Sequence, residues 1–463
     1  AGIPGGPRRV LRLFDGEPVG GFGALFGSLA MMMLAGFDFL AIRGGTGASV
    51  ANVSKVYFSP VLFLNHAATN PVFSFLSSLG DHKDYAAEYP FYDEPTRAAK
   101  FEALRGNRPD SAPTRHVLRT ERPNVVVVIL ESFARTVMDE QVDGEPVMPH
   151  MRRLREEGIW FENFFANSFR TDRGEVALLS GFPAQTRTSI MKLPGKSRSL
   201  PSLARSLDSA GYATSFSYGG DLNFTDQASY MYATGWQELV WQKDLHFATT
   251  PSDWGYDDAV MCDWFADRVI DLDRRGEPFL AGLLTLSSHK PFDVPFEKFE
   301  NRILNAFAFS DECVGRMVER LKASPAWDNL LLVLVADHGY PYPRSLTYNE
   351  PLRHRIPMIW TGGAVAAPCV VEEYASQIDL CATLLGQLGL PHDDYDYSKN
   401  IFAPAPPRKF AYYTFNDGFG VVDASGAVVW DATTQQTVSG DDPELLEIGR
   451  TMLQTTYVDI SRR

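Results

Sequence analysis

No Cys-x-x-Cys pair occurs in this chain of 463 residues, whose four cysteines (Cys262, Cys313, Cys369 and Cys381) stand far apart. That spacing excludes a zinc ribbon and a disulfide-stapled scaffold. Buried free thiols are the expected state, with room for one bridge if the domain is exported. Positive charge is also scarce: 43 Lys and Arg face 57 Asp and Glu, a net charge of −14. Without a basic stripe, no nucleic-acid partner is expected. An acidic protein that handles an anionic group must recruit a metal ion or a few local cations. Repeats and low-complexity tracts are missing too. The remaining composition, 45% hydrophobic and 22% charged, is that of a globular protein long enough for a large core and a second small domain.

One long stretch lacks charge altogether. Residues 19–37, "VGGFGALFGSLAMMMLAGF", follow Arg8, Arg9 and Arg12. The run is long enough to cross a bilayer, and the arginines suit a cytoplasmic flank. A cleaved signal peptide competes, although the run is long for one. A buried glycine-rich helix is the third reading, since Gly20, Gly21, Gly23 and Gly27 weaken any helix. We expect a transmembrane helix. The start at Ala1 fits a fragment whose earlier membrane spans are missing.

What is present has a recognisable texture. Residues 38–121 read as a connector, with a short helix at 96–104 and a flexible stretch at 109–113. From Asn124 onward, apolar strands alternate with amphipathic helices. "NVVVVIL", "ATSFSY", "PFLAGLLTLSS" and "NLLLVLVAD" are the strands; "SLPSLARSLDSAGY", "DDAVMCDWFADRVIDLDRR" and "FSDECVGRMVERLKAS" are the helices. This pattern predicts an α/β fold, a mainly parallel sheet sandwiched by helices. After about residue 403, "AYYTF", "FGVVDA" and "AVVWDA" predict a small antiparallel subdomain, closed by a helix at 444–453. The expected layout is residues 1–37 as N-terminal flank and membrane helix, 38–121 as connector, 122–402 as catalytic domain and 403–463 as a small α+β subdomain.

In open parallel sheets, sites form beyond the carboxyl ends of the strands. Those ends carry Glu131-Ser132, Asp337-His338-Gly339, Ser287-Ser288-His289-Lys290 and Gly219-Gly220-Asp221. Singly, each has a plain explanation. Glu131 alone is a solvated carboxylate, Asp337-His338 a turn, and His289 a strand end beside Pro291. Together, Glu131, Asp337 and His338 offer two carboxylates and an imidazole, which suit a divalent ion: Mn²⁺, Mg²⁺ or Zn²⁺. "NSFRTDRGEVALLSGF" adds Thr171. Asp172 and Glu175 ahead of an apolar run read as a helix start, with Thr171 beside the cap. A hydroxyl at a helix N-terminus also sits where an anion is favoured. As a fourth ligand, Thr171 would be a nucleophile whose alkoxide the ion stabilises.

These segments, "NVVVVILESFA", "FRTDRGEVALLSGFP", "TLSSHKPF" and "LLVLVADHG", resemble the lipoteichoic acid synthase-like phosphoglycerol transferases of the alkaline phosphatase/sulfatase superfamily. The resemblance covers roughly residues 124–363. It implies one divalent ion, Mn²⁺ first, on Glu131, Thr171, Asp337 and His338, with Thr171 the nucleophile and His289 in the substrate pocket. It also implies a bacterial membrane protein whose catalytic domain lies outside the cytoplasm. The donor would be a phospholipid and the acceptor an envelope polymer or glycan. The family's head-group histidine, tryptophan and arginine correspond here to Tyr218, Thr225 and Gln227, and glutamine cannot reproduce an arginine fork. Arg173 is the candidate replacement cation, with Tyr218 and Asp221 as further substrate contacts. "TDRGE" lacks the Cys or Ser of a formylglycine sulfatase, and His354 and Asp379 make no convincing second metal set. Two other readings remain: a phosphodiesterase or phosphatase on the same scaffold, and a catalytically silent envelope-binding protein.

Overall fold

Four consecutive valines make β1 (Asn124–Leu130) a strand, because a β-branched side chain packs well on a pleated surface. All seven residues are buried, so both faces of the strand are covered. The computed structural model describes residues 21–46, 50–78, 83–106, 115–403 and 409–463. Arg8, Arg9, Arg12, the first two residues of the apolar run and the stretch 109–113 lie outside the described residues.

The chain divides into two units, Ala1–Asn52 and Val53–Arg463. The first holds α1 (Gly21–Arg43), whose span Leu25–Arg43 is long and apolar enough to cross a membrane. It continues beyond the charge-free run through Asp38 to Arg43, so its glycines did not prevent a long helix.

In the second unit, the largest sheet also contains β2 (Ile159–Phe161), β3 (Ala213–Tyr218), β4 (Glu238–Trp241), β5 (Phe279–Leu284), β6 (Leu330–Ala336), β7 (Met358–Thr361) and β8 (Cys369–Val371). Their order across the sheet is β8-β2-β7-β6-β1-β5-β3-β4. Every neighbouring pair is parallel except those made by β7, which runs against β6 and β2. Register aligns the ends: Leu130 lies opposite Ala336, Ile129 opposite Leu284, and Tyr218 opposite Leu284. Residues that follow β1, β3, β5 and β6 therefore emerge at one edge.

The α2 helix (Glu94–Arg105) starts at Asp93, whose carboxylate accepts from Thr96 N at 2.9 Å, and ends at Gly106 in a positive-φ conformation. Helices α3 (Thr171–Ser180), α4 (Leu203–Ser209), α5 (Asp258–Arg274) and α6 (Arg302–Lys322) follow, and α5 packs beside α6. The α6 helix begins upstream of "FSDECV" because Asn301 caps it, accepting from Ile303 N at 3.0 Å. Near the C-terminus, β9 (Ala411–Phe415), β10 (Gly418–Asp423), β11 (Gly426–Asp431) and β12 (Gln436–Ser439) form an antiparallel sheet. The α7 helix (Pro443–Arg462) packs against it and runs well past residue 453. The connector is tied to α7: Tyr92 N and O exchange hydrogen bonds with the Gln454 amide at 2.9 and 2.8 Å.

Candidate active site

The first strand ends with its last peptide pinned from the neighbouring strand. Glu131 N donates to Thr285 Oγ1 at 2.9 Å, and Ser288 Oγ donates to Glu131 O at 2.6 Å. Ser132 then turns the chain with φ 60°, an unfavourable value for a non-glycine residue. The turn aims Ser132 N at Asp337 Oδ1, 2.7 Å away. His338 N donates to the same oxygen at 2.7 Å. The Gln377 amide holds the backbone behind it, donating to Ala336 O and Asp337 O, each at 2.7 Å.

Two carboxylates and an imidazole converge in consequence. Single ligand atoms of Glu131, Asp337 and His338 lie within 4.8 Å of one another. His338 Nδ1 faces Gly339 O at 3.3 Å, and a carbonyl can only accept. In a neutral imidazole, the Nε2 lone pair is thus turned toward Glu131 Oε1 at 3.8 Å and Asp337 Oδ2 at 3.5 Å. Asp337 is fully buried, and its Oδ2 has no hydrogen-bond donor. Burial, then the Asp337 charge, pushes the Glu131 carboxyl well above the usual range. Lone pairs and carboxylates pointed at one another in a low-dielectric site fit a divalent cation between them. Among the described residues, this is where acidic and histidine side chains gather as a candidate ion site.

Thr171 stands at the margin of this cluster, its Oγ1 donating to Glu131 Oε2 at 3.3 Å. It is the first residue of α3, after Arg170, which caps the helix without a side-chain hydrogen bond. The expected capping arrangement is therefore corrected. Thr171 lies inside the helix rather than beside it, and Asp172 is buried in the first turn between Arg170 and Lys192 at 3.4 and 3.6 Å. Gly174 allows the close approach: a Cβ there would collide with the Asp337 carbonyl.

Glu175 is also not a cap. It is completely buried, and neither carboxylate oxygen has a hydrogen-bond partner. Burial, followed by the charges of Asp337 and Asp172, pushes its carboxyl well upward. An acid with a raised folded pKa keeps a proton that the unfolded chain releases, so stability falls as pH rises above the usual glutamate range. The fall is about 1.4 kcal/mol per pH unit while the folded acid stays protonated. Glu175→Gln is expected to remove that contribution, which urea unfolding between pH 5 and roughly 7 would show as a flatter stability profile.

The remaining expected residues are placed as follows. His289 lies beside Trp254, ring centroids 4.5 Å apart, and its Nδ1 donates to Lys290 O at 2.6 Å. Burial, helped by the nearby His338 and opposed by the hydrogen bond to the Lys290 carbonyl, leaves its imidazole below the ordinary pKa. Tyr218 is buried at the end of β3, its phenol pushed upward by burial and then by the Glu131 charge. Asp221 accepts from Asn223 N at 2.9 Å and Asn223 Nδ2 at 2.8 Å, closing its own turn. Arg173 is buried against the Phe169 ring and donates to Ser168 Oγ at 3.3 Å. His354 stacks on Tyr413 at 3.9 Å, and burial lowers its pKa to about 3. Asp379 pairs with Lys399 at 3.0 Å. The four cysteines are free, three of them buried.

Sequence reasoning missed Ser132, Gln377 and Asp258. The last accepts from Leu286 N at 2.7 Å and Ser287 N at 3.2 Å, shaping the loop that carries His289. These partners are distant along the chain. Gly174 inside an otherwise good helix was the available signal.

The sulfatase family profile matches residues 123–390. Phosphoglycerol transferase I of Xanthomonas axonopodis pv. citri is 27% identical over 331 residues, covering 64% of this chain and 45% of that protein. Lipoteichoic acid synthase 2 of Bacillus subtilis is 23% identical over 312 residues, covering 60% and 46%. The chain thus spans about half the length of these curated relatives. Among solved structures, a protein of the alkaline phosphatase superfamily from Vibrio parahaemolyticus superposes with a TM-score of 0.71 at 21% identity, covering 82% of this chain and 98% of that one. The lipoteichoic acid synthase LtaP from Listeria monocytogenes gives 0.66 at 18%, covering 78% and 98%. The α/β architecture read from the sequence is that of these proteins.

Proposed function

This chain belongs to the sulfatase family, and from that premise we propose that it is a membrane-anchored phosphotransferase. It moves a phosphoglycerol-type head group from a phospholipid to an envelope polymer or glycan through a covalent intermediate on Thr171. One observation carries the reading: the Thr171 hydroxyl, at the positive end of α3, donates into the buried group Glu131, Asp337 and His338. The names of the Xanthomonas and Bacillus relatives support a phosphoglycerol donor. The apolar helix α1 supports an anchor. We place the catalytic part, residues 122–402, outside the cytoplasm, with 38–121 as connector and 403–463 as a small subdomain.

The four side chains Glu131, Thr171, Asp337 and His338 would hold one divalent ion, with Mn²⁺ our assignment. When bound, such an ion contributes positive charge to the phosphoryl oxygens under attack. The chain's own groups do the rest. Thr171 Oγ1 is already turned toward Glu131 Oε2, an acceptor for its proton. The new bond joins Thr171 Oγ1 to phosphorus as the bond to the diacylglycerol oxygen breaks, and that oxygen leaves with the equivalent of the proton Thr171 gave up. An acceptor hydroxyl then bonds to the same phosphorus, loses its proton, and releases Thr171 Oγ1, which regains one. His289, with Nδ1–H committed to Lys290 O, presents Nε2 as an acceptor. That arrangement suits binding of a substrate hydroxyl better than donation to the leaving oxygen. Tyr218, Asp221 and Arg173 are assigned to the head-group side of the pocket, Tyr218 as a hydroxyl donor.

Product analysis tests this reading. The full chain in vesicles containing phosphatidylglycerol, supplied with Mn²⁺ and a glucan acceptor, is expected to release diacylglycerol and to place glycerol phosphate on the glucan. Diacylglycerol with free glycerol phosphate, and none on the glucan, would make water the acceptor and the protein a phosphodiesterase. No diacylglycerol at all would overturn the donor assignment.

A further inference from the structure

A segment upstream of the sheet has an unusual surface. No Asp, Glu, Lys or Arg occurs from residue 56 to residue 80. Within it, Val61 and, from the short helices Leu62–Ala68 and Pro71–Ser78 that follow, Phe63, Leu64, Val72, Phe73 and Phe75 are presented to the outside. Phe63 is 76% exposed, Val72 65% and Phe75 63%. Single exposed apolar residues are ordinary, but a contiguous set on a soluble surface marks a docking site.

Both helices are also fixed locally by side-chain hydrogen bonds. Asn65, buried in the first, accepts from Phe58 N and Ser59 N at 3.0 and 3.1 Å and donates to Ser59 O at 2.7 Å. Asn70 caps the second helix, accepting from Val72 N and Phe73 N at 2.9 and 3.2 Å. Upstream of both, buried Ser54 accepts from Ser229 N at 2.9 Å, and its backbone N–H donates to the Asp226 carboxylate. Asp226 and Thr225 both have positive φ, 67° and 54°, so Ser54 braces a strained turn. That turn belongs to the loop of Tyr218, Thr225 and Gln227, where the head-group contacts were expected. The segment is therefore anchored on that loop through Ser54.

Two features identify the occupant. The apolar helix α1 ends at Arg43, a short way upstream in sequence. The segment itself carries no formal charge, so nothing within it opposes entry into a lipid interface. We infer that this two-helix segment is a second membrane contact, its phenylalanines and valines seated at the headgroup and acyl boundary of the bilayer, so that the 218–227 loop faces lipid. This inference goes beyond the proposed function and draws on it only for the lipid nature of the donor.

The test uses the full chain, reconstituted in vesicles of phosphatidylcholine and phosphatidylglycerol. A Cys369→Ser background leaves only buried native thiols. Phe63→Cys then carries an environment-sensitive nitrobenzoxadiazole label, with Thr437→Cys on exposed β12 as the control. Brominated acyl chains are expected to quench the label at 63 at least about twofold more than at 437, with aqueous iodide showing the reverse order. Equal iodide quenching at both positions would overturn the inference. Protection at 63 from both quenchers would also overturn it, in favour of a protein partner or a second copy. Phe63→Asp combined with Phe75→Asp is expected to lower turnover of vesicle-held donor by about tenfold while sparing a short-chain soluble donor. Bromolipid quenching without turnover of either donor would leave the membrane contact standing and remove the transferase reading.

Discussion

Thr171→Ala is expected to lower diacylglycerol release at least about a thousandfold, the order of loss seen when a nucleophile is deleted while the charges around it remain. The substitution removes one hydroxyl from a half-buried helix start. Its hydrogen bond to Glu131 is long at 3.3 Å, and Arg170 caps α3 with its backbone alone. Folding should therefore change little, by under about 1 kcal/mol, because alanine is a good helix former and no core volume is lost. Thr171→Ser should keep a measurable fraction of activity, since the oxygen remains at the helix N-terminus. Initial rates with phosphatidylglycerol vesicles, read beside urea unfolding curves, separate the chemical effect from a structural one. Near-normal turnover in Thr171→Ala would remove the covalent step from the account.

Glu131→Gln and Asp337→Asn should each abolish the thermal shift that Mn²⁺ gives the parent protein. A ligand at a hundred times its Kd stabilises the folded state by about 2.7 kcal/mol, so the lost signal is well within reach of a melting experiment. Both amides keep the local scaffold. Asn at 337 can still accept from Ser132 N and His338 N through Oδ1, and Gln at 131 can still accept from Ser132 Oγ. What each removes is half of an uncompensated buried pair. In metal-free protein the same substitutions should leave the melting temperature unchanged or raise it by a few degrees, because buried like charges destabilise the fold. Loss of stability in the metal-free variants would assign these carboxylates to the scaffold instead. A full Mn²⁺ shift in either variant would place the ion elsewhere.

The strands that carry the site were legible because each is a continuous apolar run ending abruptly in polar residues. "NVVVVIL" before Glu131 and "LLLVLVA" before Asp337 left no other reading. Parallel register then does the remaining work, setting Leu130 against Ala336 so that the next residues meet. The short strands Ile159–Phe161, Met358–Thr361 and Cys369–Val371 were not legible, since three or four residues show no period. Helix lengths were misjudged where a distant surface buries an extra turn, as at the start of α6 and the end of α7. The apparent capping box at Asp172 and Glu175 misled for a similar reason. Capping chemistry and a buried acid look alike in one dimension, and only packing against Asp337 distinguishes them. Ser132, Gln377 and Asp258 act through backbone atoms that lie far away in sequence or depend on an unusual φ.

In the proposed reaction Thr171 takes the phosphoryl group itself. Intact-protein mass spectrometry of the full chain, loaded with Mn²⁺, mixed with phosphatidylglycerol and quenched before acceptor is added, tests it directly. A mass increase of one phosphoglycerol unit is expected, mapped by fragmentation to Thr171 and lost in Thr171→Ala. Diacylglycerol release at an undiminished rate with no adduct, or an adduct on a different residue, would contradict it.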